Sequence, residues 1–136
     1  MSNDLPSHRN SSRRASFRHA FAGMQYAFQT QPNTWIHAVA TLVVLFAGLW
    51  LGLSMLAWVA IVLAVGIVWV LEFINTSIEA AVDLAQPEIH PLAKAAKDTA
   101  AAAVLTGAIT AALVGLLVLG PPLLEKLRLL GTPPGQ

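Results

Sequence analysis

Apolar residues fill two long stretches of the chain, at positions 35–71 and 99–119, neither of which contains Lys, Arg, Asp or Glu. A single helix over the first stretch would be about 55 Å long, against a bilayer hydrocarbon core of about 30 Å. The first stretch must therefore fold back, and Gly52 and Ser54 are suited to end one helix and to cap the next. The pattern predicts three transmembrane helices: the first at roughly 35–52, the second at roughly 55–84, and the third over the uncharged stretch 99–119.

Polar segments flank this predicted membrane domain of residues 32–120. Residues 1–12 are typical of a disordered tail. In 13–31, Phe17, Phe21 and Phe28 recur at helical spacing beside arginines, which predicts an amphipathic helix in the headgroup plane. The third span is expected to stop at Gly120, before two prolines, which leaves 121–136 as a short tail. The predicted fold class is all-α and integral to the membrane, with one surface helix and three spans.

Composition supports a membrane protein. Apolar residues make up 56% of the chain and charged residues 11%, whereas soluble domains average about 25% charged. The excess apolar surface is expected to face lipid. A net charge of +1 argues against a nucleic-acid partner. Because the chain has no cysteine, a disulfide scaffold and a thiolate metal site are excluded.

The basic residues predict an orientation. Four arginines precede the first span (Arg9, Arg13, Arg14 and Arg18), and the turn after it has no basic residue. By the positive-inside rule, the N-terminus and the loop at 85–96 are cytoplasmic. We expect a multi-pass protein of the inner (plasma) membrane, with the loop between the second and third spans at the cytoplasmic face.

One face of the second span carries a polar stripe within an arc of about 80°, formed by Glu72, Asn75, Glu79 and Asp83. Acids at this depth are costly and usually have a partner or a task. Because like charges repel, a divalent cation such as Mg²⁺, which prefers oxygen ligands, is an economical partner. The alternative is a structural role: Glu72 and Asn75 join neighbouring helices, and Glu79 and Asp83 mark the end of the span.

The start of the third helix places Lys94, Lys97 and Asp98 within an arc of about 100°. Lysines beside a helix N-terminus form an anion site, although the positive-inside rule also accounts for lysines here. No phosphate-loop motif occurs in the chain. His90 flanks the acid stripe and is a candidate site residue, whereas His37 is expected to be an interfacial hydrogen-bonding residue.

The stretches EFINTSIEAAVD at 72–83 and HPLAKAAKDTAAAAV at 90–104 resemble the small bacterial lipid kinase family that includes diacylglycerol kinase and undecaprenol kinase. The resemblance covers about residues 14–120. It implies a homotrimer with composite sites between subunits, MgATP as the phosphate donor, and a membrane lipid alcohol as the acceptor.

The resemblance also implies roles for individual residues. Glu72 corresponds to the general base, and Glu79 to a metal-binding acid. Gln31 stands where many members have a second metal-binding glutamate, so we expect its amide oxygen to assist Glu79. The residues implied at the nucleotide are Asn75, Glu79, Asp83, Glu88, His90, Lys94, Lys97 and Asp98.

Two questions remain open at the level of sequence. The segment FRHAFAGMQYAFQTQPN at 17–33 resembles the undecaprenol kinase branch, which favours undecaprenol over diacylglycerol as the substrate. A proton- or cation-conducting oligomer is a hypothesis of another class, but residues 38–71 offer only Thr41 and Ser54 as polar groups along its path. A passive membrane scaffold would leave the acid stripe unexplained.

Overall fold

The structure is a computed structural model, and it describes residues 13–131. This part contains four helices: α1 (Arg13–Thr30), α2 (Pro32–Leu51), α3 (Met55–Ala85) and α4 (Pro91–Gly131). By length and composition, α2, α3 and α4 could each cross a membrane. The all-α class with three spans is therefore confirmed. The predicted disordered tail at 1–12 lies outside the described residues.

Gln31 forms a sharp corner between α1 and α2. Its backbone is extended, with φ −115° and ψ 109°, and the next residue, Pro32, begins α2. A residue before proline is disfavoured in the helical conformation, because the proline ring clashes with its backbone. The backbone N–H of Thr34 donates to the Gln31 carbonyl at 3.2 Å, which closes the first turn of α2. The corner is therefore encoded locally by Gln31-Pro32.

The turn between α2 and α3 confirms the predicted fold-back. Gly52 adopts φ 68° and ψ 47°, the left-handed conformation that glycine accepts without steric cost, and its N–H donates to the Leu49 carbonyl at 3.2 Å. Ser54 caps α3, and its Oγ accepts a hydrogen bond from the Ala57 backbone N–H at 3.3 Å. The second span thus begins at Met55, as the sequence predicts.

The expectation that the third helix stops at Gly120 is wrong. Helix α4 continues through the two prolines that follow and ends at Gly131. A contact of its last turns with α2 accounts for the difference: Lys126 Nζ donates to the Trp50 carbonyl at 2.6 Å and lies 4.4 Å from the centroid of the Trp50 ring. Tertiary contacts of this kind offset the two backbone donors that the prolines lack.

Polarity is distributed in the reverse of the soluble pattern. Large apolar side chains face outward on the spans, for example Phe46 at 68% and Leu116 at 68% exposure. The residues buried inside include four polar ones, Thr34, Glu72, Asn75 and Thr76. Helices α3 and α4 form the most extensive pair, and Gly107 of α4 lies against Leu71 of α3. The interior formed by α1, α2 and α3 is therefore where a polar site can exist.

Candidate active site

Glu72 is the buried acid at the centre of this interior, with a side chain that is 1% exposed. It lies about 26 Å along α3 from Met55, near the far edge of a hydrocarbon core. The Thr34 hydroxyl lies 3.2 Å from Glu72 Oε1 and 3.3 Å from the Ala27 carbonyl oxygen, so its one proton is shared between them. Glu72 Oε2 has no hydrogen-bond partner within residues 13–131, and His37 Nε2 lies 3.6 Å from it.

Glu79 lies two turns further along α3 and is held by two side-chain amides. Asn75 Nδ2 donates to Glu79 Oε1 at 3.1 Å, and Gln31 Nε2 donates to Glu79 Oε2. The Asn75 Oδ1 atom is buried and has no hydrogen-bond partner among the described residues. The corner before α2 thus brings Gln31 against Glu79, the acid with which the resemblance pairs it.

Aromatic rings pack α1 and α2 against α3 beside this cluster. Trp69 lies between Phe28 and Phe73, with ring centroids 5.7 Å and 5.5 Å away. Its indole N–H donates to Thr41 Oγ1 at 3.1 Å. The rings hold α1 against α3, and the hydrogen bond from Trp69 to Thr41 holds α2 against α3, beside the side chains that meet Glu72 and Glu79.

A second group of predicted residues lines an open cleft of about 370 Å³ at the α3–α4 loop: Asp83, Glu88, His90, Lys94, Lys97 and Asp98. Lys97 Nζ lies 2.9 Å and 3.1 Å from the two carboxylate oxygens of Asp83. Lys94 pairs with Asp98 one turn along α4. The structure therefore brings these six residues together, at the end of the helices adjacent to Glu79.

The acids of the polar stripe each have their own partner, so mutual repulsion does not by itself demand a metal. Lys97 neutralises Asp83, amides surround Glu79, and Glu72 has Thr34 and His37. Among residues 13–131, no group of three His, Asp or Glu side chains is placed to hold a metal ion.

The oxygen atoms around Glu79 are nevertheless suitable ligands for a Mg²⁺ ion that is bound together with a nucleotide. Mg²⁺ takes oxygen ligands and is usually held by one or two carboxylates plus substrate phosphates. Glu79 supplies one carboxylate, and rotation of the Gln31 amide about its last torsion presents Oε1 instead of Nε2. The unpartnered Asn75 Oδ1 leaves another oxygen beside this position.

Thr34 and His37 are site residues that sequence reasoning did not identify. They lie one turn apart on α2 and contact the two oxygens of Glu72. Their three-residue spacing at the start of the first predicted span was the available signal, because on a helix it places two polar side chains on one face. The expectation that His37 is an interfacial hydrogen-bonding residue missed its contact with Glu72.

A buried acid and a cleft lined by paired lysines and carboxylates, at one end of three helices that could span a membrane, are consistent with a small membrane enzyme that handles phosphate. The model of one family, described as prokaryotic diacylglycerol kinase, matches residues 18–119, and the chain belongs to this family. It is accordingly a membrane lipid kinase, and a kinase of this family uses ATP.

Relatives in the family are named for two different lipid substrates. The chain is 43% identical over 122 residues to the undecaprenol kinase of Bacillus subtilis (strain 168), covering 88% of this chain and 99% of that protein. It is 46% identical over 111 residues to the diacylglycerol kinase of Synechocystis, covering 81% of this chain and 63% of the relative. The diacylglycerol kinase of Escherichia coli (strain K12) is 30% identical over 101 residues, covering 74% and 83% of the two chains.

Proposed function

We propose that the protein transfers the γ-phosphoryl group of ATP to the hydroxyl of a membrane lipid alcohol in a Mg²⁺-dependent reaction. The observation that carries this proposal is Glu72 Oε2, a buried carboxylate oxygen without a hydrogen-bond partner among the described residues. At the estimated depth, this oxygen is level with the hydroxyl of a lipid whose apolar body stays in the hydrocarbon.

The proposed reaction begins with Glu72 as the general base. Glu72 Oε2 takes the proton of the lipid hydroxyl as the lipid oxygen forms a bond to the γ-phosphorus. The bond from that phosphorus to the β–γ bridging oxygen breaks, and ADP leaves with the electron pair. Phosphoryl transfer needs mainly alignment and charge neutralisation, so a fixed base and fixed cations are what the protein must supply.

The cleft at the α3–α4 loop is the proposed nucleotide site. Lys97 and Lys94 hold exposed carboxylates in the structure and are free to exchange them for phosphate oxygens, since exposed ion pairs contribute little stability. Ammonium groups bind phosphates as point charges. The proposed nucleotide-binding residues are Asn75, Glu79, Asp83, Glu88, His90, Lys94, Lys97 and Asp98.

Glu79 and Gln31 are the proposed holders of Mg²⁺. The ion, when bound, neutralises negative charge on the phosphates during transfer. Gln31 contributes no charge, so the protein supplies one carboxylate and relies on the nucleotide phosphates for the remaining negative ligands.

Undecaprenol is the proposed lipid substrate. The alignment with the undecaprenol kinase spans nearly all of both chains and supports the same preference that the N-terminal segment indicates. Diacylglycerol also presents a primary hydroxyl on an apolar body, and production of phosphatidic acid by a diacylglycerol kinase activity is the alternative.

A homotrimer with its active sites at the cytoplasmic face of the plasma membrane completes the proposal. The side chains of Lys94 and Asp98 are 74% and 62% exposed, so a single copy does not enclose a nucleotide. A neighbouring copy would supply the missing walls, which is the arrangement implied by the family. The N-terminal arginines support the cytoplasmic placement of α1, which we propose lies as an amphipathic helix at the membrane surface.

Competition between two lipids in one vesicle tests the proposal. The purified protein is placed in vesicles that contain equal amounts of undecaprenol and diacylglycerol, with labelled ATP and Mg²⁺, and the products are separated. We expect label mainly in undecaprenyl phosphate, and none after chelation of Mg²⁺. Label mainly in phosphatidic acid would contradict the substrate, and ion flux without lipid labelling would contradict the kinase.

A further inference from the structure

His37 is the one described residue within ion-pair distance of the Glu72 carboxylate, with 3.6 Å between Nε2 and Oε2. We infer that His37 is a positioning residue, whose ring N–H orients Glu72 for proton abstraction. This inference rests on the proposed role of Glu72 as the base. It adds a residue to which neither the family resemblance nor the sequence pattern gives a role at the base.

The two oxygens of Glu72 meet two residues of the same helix face. Thr34 lies at Oε1 and His37 at Oε2, one turn apart on α2. The hold at Oε1 is incomplete, because the Thr34 proton is shared with the Ala27 carbonyl. Thr76 donates to the backbone carbonyl of Glu72 at 2.9 Å, not to its carboxylate. Orientation of the carboxylate about its last torsion therefore depends on His37.

The distance of 3.6 Å is a few tenths of an ångström longer than a hydrogen bond. A small rotation of either side chain brings Nε2 within reach of Oε2, or lets Oε2 turn to a lipid hydroxyl while the ring stays beside it. A buried carboxylate is costly without such a partner. The other charged groups of the site face elsewhere: Glu79 faces Gln31 and Asn75, and the two lysines face Asp83 and Asp98.

His37 also lines an apolar cavity of about 600 Å³ between α2, α3 and α4. Its side chain is 14% exposed. A residue that served only to contact the lipid body would affect the KM for lipid, whereas a residue that orients the base affects kcat. The two roles are therefore separable by steady-state kinetics.

The test compares His37→Leu with His37→Gln in vesicles. Leucine removes the N–H, while the amide nitrogen of glutamine occupies about the place of Nε2. For His37→Leu we expect kcat to fall about 10- to 100-fold, the range typical of lost orienting partners, with both KM values nearly unchanged. His37→Gln should recover most of the loss. His19→Leu is the matched control, because it makes the same change at an exposed histidine of α1, and its kcat should stay near wild type.

Several results would overturn the inference. These are a normal kcat in His37→Leu, a raised lipid KM with kcat intact, or equal loss of kcat in the glutamine and leucine variants. If His37→Leu does not fold, the kcat of His37→Gln still tests the inference, because a large loss of kcat in that variant would contradict it. Glu72→Gln separates the two levels: its activity near wild type contradicts the proposed base, whereas an inactive Glu72→Gln beside an active His37→Leu contradicts the role of His37 alone.

Discussion

Gln31 and Glu79 are hydrogen-bonded side chain to side chain, although 48 residues separate them in sequence. The contact exists because Gln31 occupies the corner that Pro32 imposes between α1 and α2. An amide therefore faces the proposed metal-binding acid at the position where the family resemblance implies a second carboxylate. Replacing Gln31 by glutamate would therefore add one negative charge to the proposed Mg²⁺ site.

Gln31→Glu should lower the Mg²⁺ concentration needed for half-maximal activity by about tenfold. A second carboxylate at metal-ligand distance contributes more than the ~1.4 kcal/mol that a tenfold change requires. Titration of lipid phosphorylation with Mg²⁺ at saturating ATP measures the effect. Gln29→Glu, an exposed change on α1 two residues away, is the matched control and should leave the titration unchanged. Identical titrations for both variants and wild type would remove Gln31 from the metal site.

Lys97→Met should raise the KM for ATP about 10- to 100-fold. A charge-assisted hydrogen bond to phosphate contributes about 1.5–3 kcal/mol, and the variant loses it. Folding should be little affected, because the pair with Asp83 is exposed. Lys126→Met removes a lysine from the other end of α4 and serves as the control for charge, with an unchanged ATP KM. A Lys97 variant with the KM of this control would place the nucleotide elsewhere.

The proposed orientation can be tested by labelling, since the chain has no cysteine of its own. Met55 at the α2–α3 turn and Ile89 in the α3–α4 loop are both highly exposed. Met55→Cys should react with an impermeant maleimide in spheroplasts, and Ile89→Cys only after the membrane is permeabilised. The reverse pattern would put the proposed nucleotide cleft on the outer side of the membrane, where ATP is absent.

The helices and one turn could be predicted from sequence because their signals are local. Charge-free stretches give the spans, and Gly52 and Ser54 supply the two caps of the fold-back. The end of α4 could not be predicted in the same way. Gly120 and two prolines are a strong local stop signal, but Lys126 meets Trp50, which lies 76 residues earlier. Local propensity does not contain a contact at that separation.

The candidate site could likewise be predicted from sequence only in part. The polar stripe on α3 follows from helical periodicity alone, and Glu72, Asn75 and Glu79 do share one interior face. The partners from α2 could not be assigned, because the rotation of α2 against α3 depends on tertiary contacts such as the hydrogen bond from Trp69 to Thr41. The pairing of Thr34 and His37 with the two oxygens of Glu72 is visible only once that packing is known.

The turnover of Glu72→Gln is the most direct test of the central claim, that a buried carboxylate on α3 is the base of lipid phosphorylation. Glutamine keeps the shape of the side chain and its contact with Thr34 but cannot take a proton. We expect kcat to fall about 10²- to 10⁴-fold, with the KM for ATP unchanged and the protein still extracted in folded form. Glu125→Gln, which changes an exposed acid at the far end of α4, should be fully active. Turnover of Glu72→Gln within a fewfold of wild type would contradict the claim.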